Sequence, residues 1–322
     1  MNLFDLHCDT LYECYETGKP LRENDLHINR AAARRYGHYA QFFSLFCGAR
    51  PPEGAAAAGR RCLLDLPEEQ RLDALLETAV REFSANADWL AFCRTADDLT
   101  QAAAAGKAAA FLSIEGAELL ATDEHVVRAY EAGVRMVAMS WNYRSRYACG
   151  AMVDNDEGLT AAGKALVRTC TGLGMLIDVS HLSERGFWDV CEQTDVPFAA
   201  SHSNSRVMCK HLRNLTDRQC GEIVRRGGLV GLNLYTPFLV RQSDSVIDDA
   251  IDHIEHFLSL YGAEKSLALG CDFDGCDLLP AGIDGLADMY KLADRMLALG
   301  YKESMVNGLF YDNAFAFVQK ML

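Results

Sequence analysis

The chain has 322 residues, half of them hydrophobic and 24% charged, with 45 acidic against 31 basic side chains and a formal net charge of −14. That excess of acid argues against nucleic acid or an anionic membrane surface as a partner, because long-range repulsion opposes both. Length alone would suggest two domains, but α/β barrels reach this size as one.

In chain order, the N-terminal MNLFDLHCDT enters an apolar, strand-like run at once, so no signal peptide is expected. Short apolar, β-branched or aromatic runs occur at 3–10 (LFDLHCDT), 40–46 (AQFFSLF), 109–116 (AAFLSIEG) and 134–142 (VRMVAMSWN). Four more follow at 174–181 (GMLIDVSH), 197–203 (PFAASHS), 228–235 (GLVGLNLY) and 266–275 (SLALGCDFDG). Between them lie helical patterns such as EEQRLDALLETAVREF, LTAAGKALVRTC, SERGFWDVCEQ and DDAIDHIEHFLSLYG. Near-continuous apolar strands alternating with helices predict a buried parallel sheet. Eight of them predict an α/β fold of the (β/α)₈ TIM-barrel type.

The long interval 47–108 contains PPEGAAAAG and at least two helices, and reads as a decorated connection. The alanine runs at 55–58 and 102–105 read as loop and helix filler. After the eighth strand, 285–300 and 302–322 predict two closing helices. No fixed-period repeat and no linker rich in Ser, Gly or Pro divides the chain, so a single domain over 1–322 is expected. No apolar stretch has the length of a membrane span. Twelve cysteines are scattered without a CxxC pair, which suits reduced thiols and a cytoplasmic location.

The chemistry lies in the residue types at the strand ends. His7 and Asp9 are two apart on the first strand, and alternation puts both on the barrel-interior face. Cys8 and Cys271, neighbours of ligand-type residues, should then point the other way. Glu115, His181, His202 and Asp272 end the third, fifth, sixth and eighth predicted strands. Barrel enzymes place their catalytic groups at these C-terminal ends. Three histidines and three carboxylates at one mouth suit zinc, which takes imidazole nitrogen and carboxylate oxygen. Six such groups exceed what one tetrahedral ion with an open position needs. They fit two ions bridged by a carboxylate and a solvent molecule, which becomes the nucleophile while a nearby carboxylate carries its proton. Each residue alone is a weak signal; their joint placement is not. By contrast His253 and His256, at i and i+3 on a polar helix face, read as solvated. His27, His38, His125 and His211 carry no role.

Taken together and in order, DLHCDT, SIEGAE, IDVSH, ASHSNSR, HLRN and LGCDFDG resemble the membrane (renal) dipeptidase family, peptidase family M19, of the amidohydrolase superfamily. The resemblance covers nearly the whole chain. It implies two Zn²⁺ per chain, one held by His7, Asp9 and Glu115 and the other by Glu115, His181 and His202, with Glu115 bridging. Many amidohydrolases bridge with a carboxylated strand-4 lysine, and VRMVAMSWN has none. The resemblance makes Asp272 the proton-transferring carboxylate, with Asp274 as the fallback, and makes Arg213 the anchor for a substrate carboxylate, which a guanidinium fork meets bidentately. Tyr235 is a further candidate for the substrate site.

One departure stands out: Trp141 occupies the place of a family histidine that contacts the substrate carbonyl. The resemblance also implies a homodimer and tolerance of D-residues at the C-terminal position. The expected function is a zinc-dependent dipeptidase acting on small dipeptides. Two alternatives stay open: another amide or ester hydrolase, acting on N-acyl amino acids or lactones, and a non-catalytic metal-containing binding protein.

Overall fold

The computed structural model describes residues 1–49, 59–242, 244–260 and 262–322. The alanine run at 55–58 lies outside the described residues, whereas Ala102–Ala104 end a helix as expected. Nine strands form among the described residues: β1 (Leu3–Cys8), β2 (Tyr39–Phe46), β3 (Leu90–Phe92), β4 (Ala108–Glu115), β5 (Val134–Ala138), β6 (Leu176–Asp178), β7 (Ala199–Ala200), β8 (Leu229–Leu232) and β9 (Leu267–Leu269). They run in the order β2-β1-β9-β8-β7-β6-β5-β4, and a β2–β4 pairing closes the ring into an eight-stranded parallel barrel. The predicted TIM barrel is thus the observed fold. Strand β3, which the sequence reading missed, pairs only with Ala108–Ala110 at the start of β4. β2 occupies the opposite edge of β4 along 109–115, so β3 lies below β5, which pairs from Leu112 onward. Several strands are shorter than predicted, because the chain leaves the ladder as soon as it reaches the mouth.

Five of the helices begin at a hydroxyl that caps them. Thr95, Thr122, Thr160, Ser183 and Thr216 each accept a hydrogen bond from a backbone N–H in the first helical turn. The last four of these end mouth loops at a defined residue and turn the chain back down the outside of the barrel.

Two apolar layers result. One lies between strands and helices and takes in Cys8 and Cys271, as alternation predicts. The other fills the barrel with one or two residues per strand: Phe4, Leu6, Ala40, Phe42, Ala109, Phe111, Met136, Leu176, Ala199, Leu229 and Ala268. The rings of Phe4, Phe42 and Phe111 stack at 5.0–6.1 Å, and Tyr311, Phe317 and Val318 of the closing helices plug the floor beneath them. That plug includes a π-helical turn at Gly308–Asp312.

On β1 the inward positions change phase. Asp5 pairs with Gln41 but Cys8 pairs with Phe43, so Leu6 and His7 together face one residue of β2. This bulge lets Phe4 line the floor while His7, at the opposite parity, reaches the mouth. Regular alternation, assumed from the sequence, would have turned one of them out.

Candidate active site

All six strand-end residues expected to carry chemistry meet at the barrel's C-terminal mouth, and all are buried. His7 Nε2 lies 3.4 Å from Asp9 Oδ2, 3.4 Å from Glu115 Oε2 and 3.6 Å from Asp272 Oδ1. On the other side, His181 Nε2 is 2.8 Å from both Glu115 Oε1 and His202 Nε2, and His202 Nε2 is 3.9 Å from that same oxygen. Glu115 therefore turns one oxygen to each side.

The residues fit a cation site on their own terms. His7 Nε2, Asp9 Oδ1 and Glu115 Oε2 are buried without a hydrogen-bond partner, a cost that native interiors rarely accept. Two sets, His7 with Glu115 and His202 and His7 with Asp9 and Asp272, bring one ligand atom each to within 4.8 Å of one another. In the protein alone, burial and the Asp9 carboxylate push Glu115 up to about 8. Burial also raises Asp272. Burial works to lower His7, but the Glu115 and Asp9 carboxylates outweigh it and raise that imidazole well above its usual value. Burial, with Arg213 and His7 nearby, holds His181 and His202 well below theirs. Nitrogen and oxygen donors so crowded are what a divalent ion relieves.

The local backbone is strained to deliver them. His181, Asp272 and Asp274 are the non-glycine residues with positive φ among the described residues, at 66°, 62° and 66°. Such left-handed conformations persist where surrounding contacts enforce them. Gly275 completes the turn, since a Cβ there would stand 2.2 Å from Asp9 Oδ2 and 2.5 Å from Asp272 Oδ1.

The two aspartates of DFDG separate cleanly. Asp272 faces the His7 side with Oδ1 and receives Asn233 Nδ2 on Oδ2 at 2.9 Å. Asp274 instead accepts from Thr10 Oγ1 at 2.5 Å and from the His27 N–H at 2.7 Å, while its own N–H donates to His27 Nδ1. It braces the 18–30 loop, and His27 thereby gains a structural role that the sequence did not suggest. Asn142 and Asn233 were also missed. Asn142, half-buried, places Oδ1 2.8 Å from His181 Nδ1, and an amide just past a strand end was the only sequence signal available.

A cleft of about 580 Å³ opens over the cluster, lined by Asp9, Glu115, His181 and Asp272 and walled by Phe46, Trp141, Tyr235 and Phe238. Trp141 lies edge-on to Phe46 at 5.2 Å and 6.1 Å from the His181 ring. Tyr235 lies just beyond β8 and packs edge-on to Phe238. Burial and Asp277 push its phenol up to about 12. Arg213 is buried behind this wall, its guanidinium 5.4 Å from the Phe238 ring centre, with Nη2 donating to the His202 carbonyl at 3.2 Å. Its Nε has no partner, and no ion pair to it occurs among the described residues. Burial pulls it down to about 10, so it stays charged at neutral pH.

The expectation for His253 needs correction. It is buried, accepting from the Ser205 N–H at 3.0 Å through Nδ1, with Nε2 2.9 Å from the Leu239 carbonyl. The helix face that looked polar packs under the 203–216 loop. His256 is half-buried against Asp217.

A parallel barrel with histidines and carboxylates gathered at its C-terminal mouth is the architecture of a barrel metallohydrolase. The profile of the membrane dipeptidase family, peptidase family M19, matches residues 1–321. The chain belongs to that family. It is 37% identical over 194 residues to a Klebsiella pneumoniae protein described as an uncharacterized protein in the pqqA 5′ region, a match covering 57% of this chain and 71% of that one. It is 35% identical over 196 residues to an uncharacterized dipeptidase of Schizosaccharomyces pombe, covering 59% of this chain and 46%, less than half, of that relative. Among solved structures, a metallo peptidase from Rhodobacter sphaeroides, liganded with a phosphinate mimic of the dipeptide L-Ala-D-Ala, superposes with a TM-score of 0.87. It is 27% identical, over 100% of this chain and 99% of that one. No helix among the described residues is long and apolar enough to cross a membrane.

Proposed function

We propose that this chain hydrolyses small dipeptides, L-Xaa-D-Xaa dipeptides among them, with two zinc ions. The observation that carries the reading is the split of Glu115, one oxygen toward His7 and the other toward His181 and His202, among buried donors left without partners. His7, Asp9 and Glu115 would hold one ion, and Glu115, His181 and His202 the other. When bound, the ions supply Lewis acidity, polarising the scissile carbonyl and making water acidic enough to attack near neutral pH.

The chain's own groups do the rest. Asp272, steadied by Asn233, takes the proton of the attacking water and returns it to the leaving amine. Arg213, charged and without a carboxylate partner, neutralises the substrate's C-terminal carboxylate once Phe238 and the adjoining loop admit it. Trp141 and Phe46 form one wall of the side-chain space, and Tyr235 and Phe238 the other. The L-Ala-D-Ala mimic on the Rhodobacter sphaeroides enzyme supports acceptance of L-D dipeptides.

The test is a panel of L-L and L-D dipeptides offered to zinc-loaded and chelator-stripped protein. Metal-dependent release of free amino acids is expected. Hydrolysis of N-acyl amino acids or lactones with no dipeptide cleaved would replace this reading with the rival one. That rival rests on Trp141, whose indole narrows the cleft beside His181.

A further inference from the structure

The far nitrogen of His202 is held in a way that determines its chemistry. Asp178, the buried last residue of β6, accepts the N–H groups of Ser180 and Ser201 on Oδ1, each at 2.9 Å. Its Oδ2 accepts the Ser201 hydroxyl. A hydroxyl has one proton and a carboxylate only accepts, so that proton points at Asp178. Ser201 Oγ also lies 2.8 Å from His202 Nδ1, and there the oxygen has only lone pairs to offer. The neutral His202 ring must therefore carry its proton on Nδ1.

His181 is fixed in the same sense, with Nδ1 2.8 Å from the acceptor Asn142 Oδ1. Both Nε2 atoms are then lone pairs, and they face each other at 2.8 Å. Two lone pairs that close repel unless a cation stands near them.

We propose that Asp178, acting through Ser201, is a positioning residue that holds His202 in its metal-donating tautomer. This rests on the reading of His202 as a metal ligand. The arrangement is a carboxylate–histidine–metal relay with a serine interposed, and outer partners of this kind typically set metal affinity by about 10–100-fold.

The geometry makes an unusual demand of Asp178→Asn. Two backbone N–H groups meet at Oδ1, so the amide oxygen must take that place and the NH₂ must face Ser201 Oγ. The serine then receives where it used to give, turns its own proton to His202 Nδ1, and forces the ring proton onto Nε2. Ser201→Ala merely removes the relay and leaves both tautomers open.

Zinc affinity, measured by competition with a chromophoric chelator, should fall by about 10–100-fold at one site in Asp178→Asn and by less in Ser201→Ala. The double variant should recover to the Ser201→Ala level, since the reversed donor is gone. Imidazole ¹⁵N shifts of the metal-free protein should move His202 from Nδ1–H to Nε2–H in Asp178→Asn alone. A role confined to stapling β6 to β7 predicts that the double variant is no better than Asp178→Asn and that no tautomer shift occurs; either result overturns the proposal. His202→Ala is the control for the underlying reading. If it keeps both zinc ions at wild-type affinity, His202 is not a ligand and the proposal falls with that assignment. If it loses one ion while Asp178→Asn does not, the relay alone is wrong.

Discussion

Asp272 and Asp274 are two residues apart and share a left-handed backbone, yet only Asp272 faces the histidines. Asn is tolerated in that conformation, so Asp272→Asn leaves the turn intact and removes only the ability to take and return a proton. Metal content should persist while kcat falls by about 10²–10⁴. Asp274→Asn should loosen the 18–30 loop and lower thermal stability while sparing most of kcat. The reverse pattern would show the two roles exchanged. Arg213→Ala should raise KM for dipeptides and have much less effect on C-terminally amidated analogues, and equal losses on both would make Arg213 structural. Trp141→His should raise kcat or admit larger side chains across Gly-Gly, Ala-Ala, Ala-D-Ala and Leu-D-Phe, since it exchanges a bulky wall for a smaller donor. No change across that set would place Trp141 outside the substrate's reach. At this scale the cluster of histidines and carboxylates was legible, because six such residues ending apolar runs in one barrel are a strong signal jointly though each is weak alone. Asp178, Ser201, Asn142 and Asn233 were not, because one-letter polarity does not reveal that a side chain is packed against a strand-end histidine or carboxylate, directly or, for Asp178, through Ser201.

Among the elements, eight strands could be read from apolar runs alone, but their ends could not. VRMVAMSWN reads as one run, yet the ladder stops at Ala138, and of the remainder Trp141 and Asn142 line the cleft while Met139 and Ser140 stay buried. Strand β3 is three residues long, too short for any period to show. The β1 bulge is invisible because apolar and polar residues alternate without a break from Phe4 to Asp9, as they would along a regular strand. His253 misled because a helix side that carries Asp and His can still be covered by a loop. The closing helices, legible as amphipathic runs, do more than cap the chain, since Phe317 seals the aromatic floor of the barrel. Phe317→Ala should cost about 3–5 kcal/mol of stability in urea unfolding, as for other buried aromatics. A loss under about 1 kcal/mol would mean the floor closes without it.

For the molecule as a whole, three of its 45 acidic side chains, Asp9, Glu115 and Asp272, are buried together at the mouth. Purified protein should hold about two zinc ions per chain, and a ratio near zero with no activity regained on adding metal would sink the two-ion site. The pH dependence follows from Glu115, at about 8 in the folded metal-free protein against 4.5 for an ordinary glutamate. The folded state then binds the proton that the unfolded state has released, so metal-free stability falls as pH rises through that interval. His181 and His202 act oppositely, but only below the usual histidine range, while His7, raised well above it, adds to the fall, so the window from about pH 7 to about 8 reads Glu115 and His7 together. Metal uptake has the complementary sign, with affinity rising over the same window as the proton is displaced. Melting curves of stripped and zinc-loaded protein should therefore diverge as pH increases, and parallel curves would contradict the raised Glu115 and His7.

The doubled residue on β1 also bears on how this barrel tolerates change. Below it, side chains from all eight strands interlock in a floor whose only requirement is volume; above it, the same strand answers to the geometry of an ion. Because the phase shift lies between them, floor residues such as Phe4 and Phe42 can be exchanged for other shapes without rotating His7. Deleting either Leu6 or His7 leaves too few residues to serve both halves. Directed evolution of the cleft can thus proceed over an untouched foundation, while one lost codon at this point would abolish the centre even in a chain that still folds.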